Sequence, residues 1–366
     1  MKSTFKAMML MAVMIAAAFA AVAVSDSSDA VIADIEKPDT VTNPETGTDI
    51  CTVDGTGYED LSAAITAATG SGKPLVLTTD YNCEIQTIDF TGNLEIDLKG
   101  HTLAIYLVVL SDDDSLTIRN GTLLGKYVDN IGHATLTARG NSSMVLDDVD
   151  FYSEATGAIV YNKSSVALSN GTVIHAEGYG LGTNASDPAD YDVRMTVKDS
   201  AVYADSDPMK VGTAILFNIP GTLTIENSTI QGYYQAIILR GGNAIITGST
   251  ITNTMKDATL VATFEDTDWQ TGNAVPTGAL IIGNRSASYQ YPTNINLVDT
   301  DVVSNGTAGS QCPAVYVYAN AADGLGVDFV YDDQSTFDND TQEAMVFGTT
   351  ENVASGDAVA QVGDMK

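Results

Sequence analysis

The chain has 366 residues, 44% of them hydrophobic but only 7% aromatic, which is enough to bury a large core. Its formal charge of −31, from 47 acids against 16 Lys and Arg, excludes unaided binding to nucleic acid or acidic polysaccharide, both of which need clustered cations. Frequent glycine and many small, β-branched and hydroxylated residues favour strands and tight turns over helices.

Lys2 and Lys6 precede an uncharged run, AMMLMAVMIAAAFAAVAV, from Ala7 to Val24. Ala21-Val22-Ala23 offers the small residues a signal peptidase needs, so residues 1–24 read as an export signal. The run is about as long as a minimal membrane span, which keeps an uncleaved anchor as the alternative. Residues 25–50 are rich in Ser, Asp, Thr and Pro without periodicity and read as a flexible linker. Export leads to an oxidising compartment, so Cys51 and Cys83 are expected to form a disulfide, leaving Cys312 unpaired; the alternative is that all three are small buried residues. Residues 51–74 read as an N-terminal cap, in which GYEDLSAAITAATG (Gly57–Gly70) predicts a short amphipathic helix with Leu61, Ala64 and Ile65 on one side.

From Leu75 to about residue 340 one phrase returns. GTLTIENSTIQGY at Gly221 has counterparts in SLTIRNGTLLG at Ser115, SVALSNGTVI at Ser165, RMTVKDSAVY at Arg194, NAIITGSTI at Asn243 and NINLVDTDVV at Asn294. The shared template is apolar, any, apolar, any, then Asn, Asp or Gly, two residues, then apolar. The Asn/Asp/Gly position falls at Gly100, Asn120, Asp148, Asn170, Asp199, Asn227, Gly248 and Asp299. Most intervals are roughly 20–30 residues, the signature of a solenoid. A second phrase precedes the first: GAIVY at Gly157, TAILF at Thr213, QAIILR at Gln235, GALIIG at Gly278 and PAVYVY at Pro313. Each repeat therefore holds two strands and a short third one. One long interval carries an insertion at about 252–276, and residues 341–366 read as a C-terminal cap or tail.

This pattern resembles the right-handed parallel β-helix, the pectate-lyase-like fold, over most of the chain. The resemblance implies a single all-β domain of about nine or ten coils, ~4.8 Å apart, or a rod of ~45 Å. It also implies a sharp bend after the second strand. There Asn120, Asp148, Asn170, Asp199, Asn227 and Asp299 would take the left-handed conformation and stack as an enclosed ladder.

Polysaccharide lyases and hydrolases occur on this fold, but sites are argued residue by residue. A lyase needs a base beside a calcium held by acids. Arg194 and Lys198, with Asp190, Asp192, Asp205 and Asp207, are the residues such an alternative would use, and calcium the cation. The Asn-Thr-Asp, Asp-Asp, Gly-His-Gly and Arg-x-Lys signatures of the polygalacturonase type do not stand together here, and no metal-ligand spacing appears. The expectation is a protein without catalytic residues or cofactor.

The first-strand phrases are apolar at both parities. If Ile159, Ile215, Ile237, Leu280 and Val315 point inward, then Val160, Leu216, Ile238, Ile281 and Tyr316 form an outward apolar row, which calls for a cover. The insertion with Trp269, a second subunit, or a ligand would supply it. Trp269, Tyr289, Tyr291, Tyr316 and Tyr318 offer ring faces to a glycan or protein. Nine Asn-x-Ser/Thr sequons occur. Those at Asn141, Asn162, Asn184, Asn284, Asn305 and Asn339 read as loop sites open to glycosylation, while Asn120, Asn170 and Asn227 read as enclosed. The sequence thus predicts a secreted or cell-surface, adhesin-like β-helix protein in contact with glycans, surfaces or other proteins. A calcium-assisted polysaccharide lyase and a self-associating envelope component are the alternatives. Neither nucleic acid nor a membrane span in the mature chain is expected.

Overall fold

The computed structural model describes residues 37, 40–127, 134–184, 191–204, 212–255, 278–283, 291–305, 313–317, 327–339, 345–347 and 360–364. The expected export signal lies outside them, as do Cys312, Trp269, Tyr289, Tyr318, Asn284, Asp190, Asp205 and Asp207.

Alternation builds the strands. In Gly221–Glu226, Leu223 and Ile225 are buried while Thr224 and Glu226 stay half-exposed, the period-2 pattern of a strand with one wet face. Neighbouring phrases pair in parallel, each residue over its counterpart: Leu223 stands between Met195 and Ala244. Three ladders result. The first holds ten strands among the described residues, from Thr87–Asp89 to Met345–Phe347. The second runs from Leu75–Leu77 to Ala360–Asp364 and the third from Tyr81–Asn82 to Thr336–Asn339. In two coils the second and third strands run on unbroken, at Ser115–Gly125 and Ser143–Ser153. The fold is an all-β parallel β-helix solenoid. Inward Ile, Leu and Val from all three ladders form one continuous core.

The cap helix spans Leu61–Ser71. Asp60 accepts from the Ala63 amide, and Gly72 closes the other end in the left-handed region at φ 65°. Leu61, Ala64, Ile65 and Ala68 are buried against the core. Gly57 and Tyr58 belong instead to strand Thr56–Tyr58, which pairs with Cys51–Val53; that strand in turn lies antiparallel to Leu75–Leu77.

The corner after the second strand departs from the expectation. Asn120, Asp148, Asn170, Asp199, Asn227 and Asp299 all have φ between 48° and 58°, a region Asn and Asp enter at least cost. Their side chains, however, are exposed and not enclosed. A left-handed residue at this bend turns its Cβ outward, so the amides bond along the surface: Asn120 to Asp97 at 3.1 Å, Asn170 to Asp147 at 2.6 Å, Asn227 to Asp199 at 3.1 Å. The enclosed ladder is made by the hydroxyl residue that follows. Ser200, Ser228, Ser249 and Thr300 are buried. The Ser200 amide donates to Ser228 Oγ at 3.2 Å, and the Ser228 amide to Ser249 Oγ at 3.1 Å. The sequons at Asn120, Asn170 and Asn227 are therefore not closed off by burial.

Other expectations are corrected. Cys51 and Cys83 are both free and buried, each filling the core as a small apolar residue and not forming a bridge. Burial, with Asp49 and Asp60 nearby, pushes the Cys51 thiol up to about 12. The expected linker is anchored from Lys37 onward: Lys37 pairs with Glu154 at 2.5 Å, Asn43 exchanges two bonds with Asn82, and Ile50 donates to Tyr58. The solenoid does not stop at residue 340. Strand 345–347 pairs with 315–317, and 360–364 with 327–331, so the tail adds a rung to two ladders. Asn339 closes strand Thr336–Asn339 and is 9% exposed, not a loop residue.

Candidate functional site

The outer face of the first ladder is apolar and covered. Its register places Ile159, Gly182, Leu216, Ile238, Ile281 and Tyr316 in one row. Ile159, expected inside, is thus in the outer row, and Val160, expected outside, is in the core. The strand Thr156–Tyr161 aligns Ala158 with Leu181, which shifts its parity by one residue. Leu216, Ile238 and Ile281 are buried together with Tyr179, Tyr234 and Met255, with Tyr233 and Tyr316 packed at the edge. The expected insertion begins later than residue 252, since strand Thr250–Asn253 is part of the third ladder; Met255 is the last residue described before Gly278, and its amide donates to the Tyr233 carbonyl at 2.9 Å. Tyr316 is thus half-buried against this cluster.

The outer face of the second ladder is polar and open. One row carries Thr196, Thr224, Ile245 and Asn296, and the row beside it Ser165, Arg194, Thr222, Asn243 and Asn294. Ile245, 47% exposed, is the large apolar group left in solvent here. Beside this face, where first strands turn into second strands, lies an open groove of about 400 Å³ lined by Tyr191, Asp192, Pro220, Gly221, Thr222, Gly242 and Asn243. Its floor is backbone. Gly242 has φ 84°, and a Cβ there would meet Gly221 O at 2.4 Å, so only glycine lets successive corners stack this closely. Tyr191 and Tyr291 meet edge to face at 5.1 Å, and the Tyr291 hydroxyl donates to the Tyr191 hydroxyl at 2.8 Å. Asn294 Nδ2 donates to Asn243 Oδ1 at 2.8 Å, and both side chains are exposed. Arg194 pairs with Asp192 at 2.9 Å, with side chains 65% and 59% exposed. Tyrosine rings, amides, hydroxyls and one ion pair thus lie in and beside a shallow backbone floor.

The residues named for a lyase are only partly brought together. Arg194 and Asp192 meet at the groove, but as partners of each other. Lys198 pairs with Glu226 at 2.9 Å, and that carboxylate pushes the lysine's pKa up, away from what a proton-abstracting base needs. Arg240, from the first ladder, is fully buried and donates to Asn218 at 3.0 Å. Among the described residues no three His, Cys, Asp or Glu side chains are grouped to hold a metal ion. Of the sequons, Asn141 is exposed in a left-handed turn and donates to Asp113, while Asn162, Asn184 and Asn305 are half-buried, and Asn184 ends strand Leu181–Asn184 and is not the loop residue expected. Among the described residues no helix is long and apolar enough to cross a membrane.

The groove escaped the sequence reading. Tyr191 lies more than a coil before the adjacent Gly242 and Asn243 in the chain, and the sequence pattern points only to Tyr291, Arg194 and Asp192 in or beside the groove. The available signal was the polar second residue of the second-ladder strands here, Arg194, Thr222, Asn243 and Asn294, one per coil.

No family model matches the chain, and no curated protein matches it. Among solved structures, it is similar to PfbA, a surface adhesin of Streptococcus pneumoniae, at 11% identity. The match spans 71% of this chain and 86% of that one with a TM-score of 0.31, so no residue of PfbA is paired with a residue here.

Proposed function

We propose that this chain is an exported, surface-displayed and non-catalytic β-helix protein, and that it contacts glycans through the second-ladder face and its groove. The observation that carries the reading is the open groove beside the polar face, lined by Tyr191 and Asn243, which Tyr291 and Asn294 respectively contact from outside the lining. The basic start and apolar run at Ala7–Val24 support export. The charge of −31 favours a neutral over an anionic glycan, because Asp192 lines the groove and the neighbouring Arg194 is already paired with it.

The test is retention of the purified chain on a panel of insoluble neutral and acidic polysaccharides, with and without calcium. Unsaturated ends are read in parallel by ultraviolet absorbance. Retention on a neutral polymer without new ends is expected, weakened about tenfold by Asn243→Ala or Tyr191→Ala. Unsaturated product would make the protein a lyase and overturn the reading, as would retention that both substitutions leave unchanged.

A further inference from the structure

We infer that the N-terminal end of the first ladder is a strand-addition site for an extended peptide with alternating apolar side chains and a basic flank. The second and third ladders open one rung lower than the first, at Leu75–Leu77 and Tyr81–Asn82. Among the described residues the first ladder has no strand in that rung. It opens at Thr87–Asp89, which pairs with Leu107–Leu110 alone. Where the missing strand would lie, the cap helix stands back and leaves a groove of about 320 Å³.

Both walls suit a strand. The helix contributes Ile65 with Ser62, Thr66 and Thr69, and the Thr66 and Thr69 hydroxyls are turned back onto the Ser62 and Ile65 carbonyls at 2.9 and 3.0 Å, which leaves their methyl groups to the groove. The strand side contributes Ile85, Ile88 and Phe90 together with a backbone edge that no described strand pairs. Such an edge gives affinity through main-chain hydrogen bonds, and flanking pockets select alternate side chains. The other routes onto this end are already occupied. Strand Cys51–Val53 covers Leu75–Leu77, and the helix covers the core, so a whole second solenoid cannot stack here. A single strand can. Asp89 is the charged residue lining the groove, it is exposed, and the chain as a whole is strongly acidic. A partner segment with Lys or Arg beside its apolar positions is the complementary one.

The experiment uses the purified chain and a fluorescein-labelled octapeptide that alternates threonine with isoleucine between terminal lysines, read by fluorescence anisotropy. Saturable binding is expected. Thr66→Trp, at an exposed helix position, fills the groove and lowers affinity by about tenfold or more, with the circular dichroism spectrum unchanged. Asp89→Lys lowers it by about threefold at low salt and less at high salt. The same peptide N-methylated at alternate amides does not bind. Failure of the wild-type chain to saturate, equal binding of the N-methylated peptide, or indifference to Thr66→Trp would each overturn the inference. Self-association of the chain without peptide, abolished by Thr66→Trp, would also overturn it, in favour of a second copy. None of these readouts involves the glycan groove, so the two proposals fail separately.

Discussion

The outer faces of the first and second ladders share one backbone repeat and have opposite fates. Along the first, Leu216, Ile238 and Ile281 are buried under Tyr179, Tyr234 and Met255. Along the second, Thr196, Thr224 and Asn296 stay at least partly in solvent, with Ile245 an isolated apolar exception. The parallel hydrogen bonds are alike in both. The difference comes wholly from side chains: a strand apolar at both parities needs a cover on its outer face, and one apolar at a single parity leaves that face free for a ligand.

The sharpest way to break this contrast is to place the same charge on both faces. Ile238→Asp leaves an unpaired carboxylate in the covered cluster and is expected to cost about 3–5 kcal/mol, or to prevent folding. Thr224→Asp, one coil lower on the open face, should stay within about 0.5 kcal/mol. Urea unfolding of the two variants decides it, and equal losses would mean that the second-ladder face is covered as well.

A smaller effect separates the two rows at the corner. Ser228→Ala removes a buried hydroxyl that bonds the Glu226 carbonyl at 2.7 Å and accepts from the Ser200 amide, leaving that amide unsatisfied. A loss of about 1–3 kcal/mol is expected. Asn227→Gly gives up one exposed bond to Asp199 and relieves the left-handed backbone, so thermal unfolding should show little change or a slight gain. A larger loss for Asn227→Gly than for Ser228→Ala would restore the asparagine as the structural post.

The corner also shows how far the sequence could be read. The repeat at Asn120, Asn170 and Asn227 places each bend, because a left-handed residue is a local backbone demand that composition exposes directly. Which way the side chain then faces is set by the coil below, and the enclosed role went to Ser200, Ser228, Ser249 and Thr300, whose type looks merely polar in a strand-and-turn pattern. Parity was legible where a residue had an apolar partner in its row, as Leu216 and Ile238 have in each other. It slipped at Ile159, whose partners are Thr137 and Gly182 and give no apolar signal. The groove was not legible. Tyr191, Asn243 and Tyr291 meet only because successive coils put their corners in line.

Cys51 tests the core beneath the cap. The thiol's pKa is raised from an ordinary 9.0 to about 12, by burial first and by Asp49 and Asp60 second. A raised pKa holds the neutral form in the fold, so its contribution is complete below the unfolded value. It is lost as pH climbs from 9.0 towards about 12, at roughly 1.4 kcal/mol per pH unit. Iodoacetamide at pH 8.5 should leave Cys51 unmodified in the native chain and alkylate it in urea, as read by peptide mass. Native alkylation would mean that the cap opens on its own; protection in urea until a reductant is added would mean that the cysteines are bridged after all.

The smallest effect concerns the segment before the cap, where Lys37 reaches Glu154 and lies 5.3 Å over the Tyr152 ring. Burial alone would raise the Glu154 pKa. The Lys37 ammonium and the Tyr127 amide outweigh it, and the net shift is downward from 4.5. A lowered carboxyl stabilises the fold above its unfolded value and loses that contribution as pH falls through the folded one. With side chains 46% and 28% exposed, the pair is screened and is worth about 0.3–1 kcal/mol. Glu154→Gln should therefore lower the urea midpoint slightly at pH 7 and not at pH 3, and speed amide exchange around Asn43 and Asn82 at the higher pH only. Equal midpoint shifts at both pH values would show that Glu154 matters here through packing and that the Lys37 charge is incidental. The anchoring of this segment would then rest on the paired amides of Asn43 and Asn82, which do not titrate.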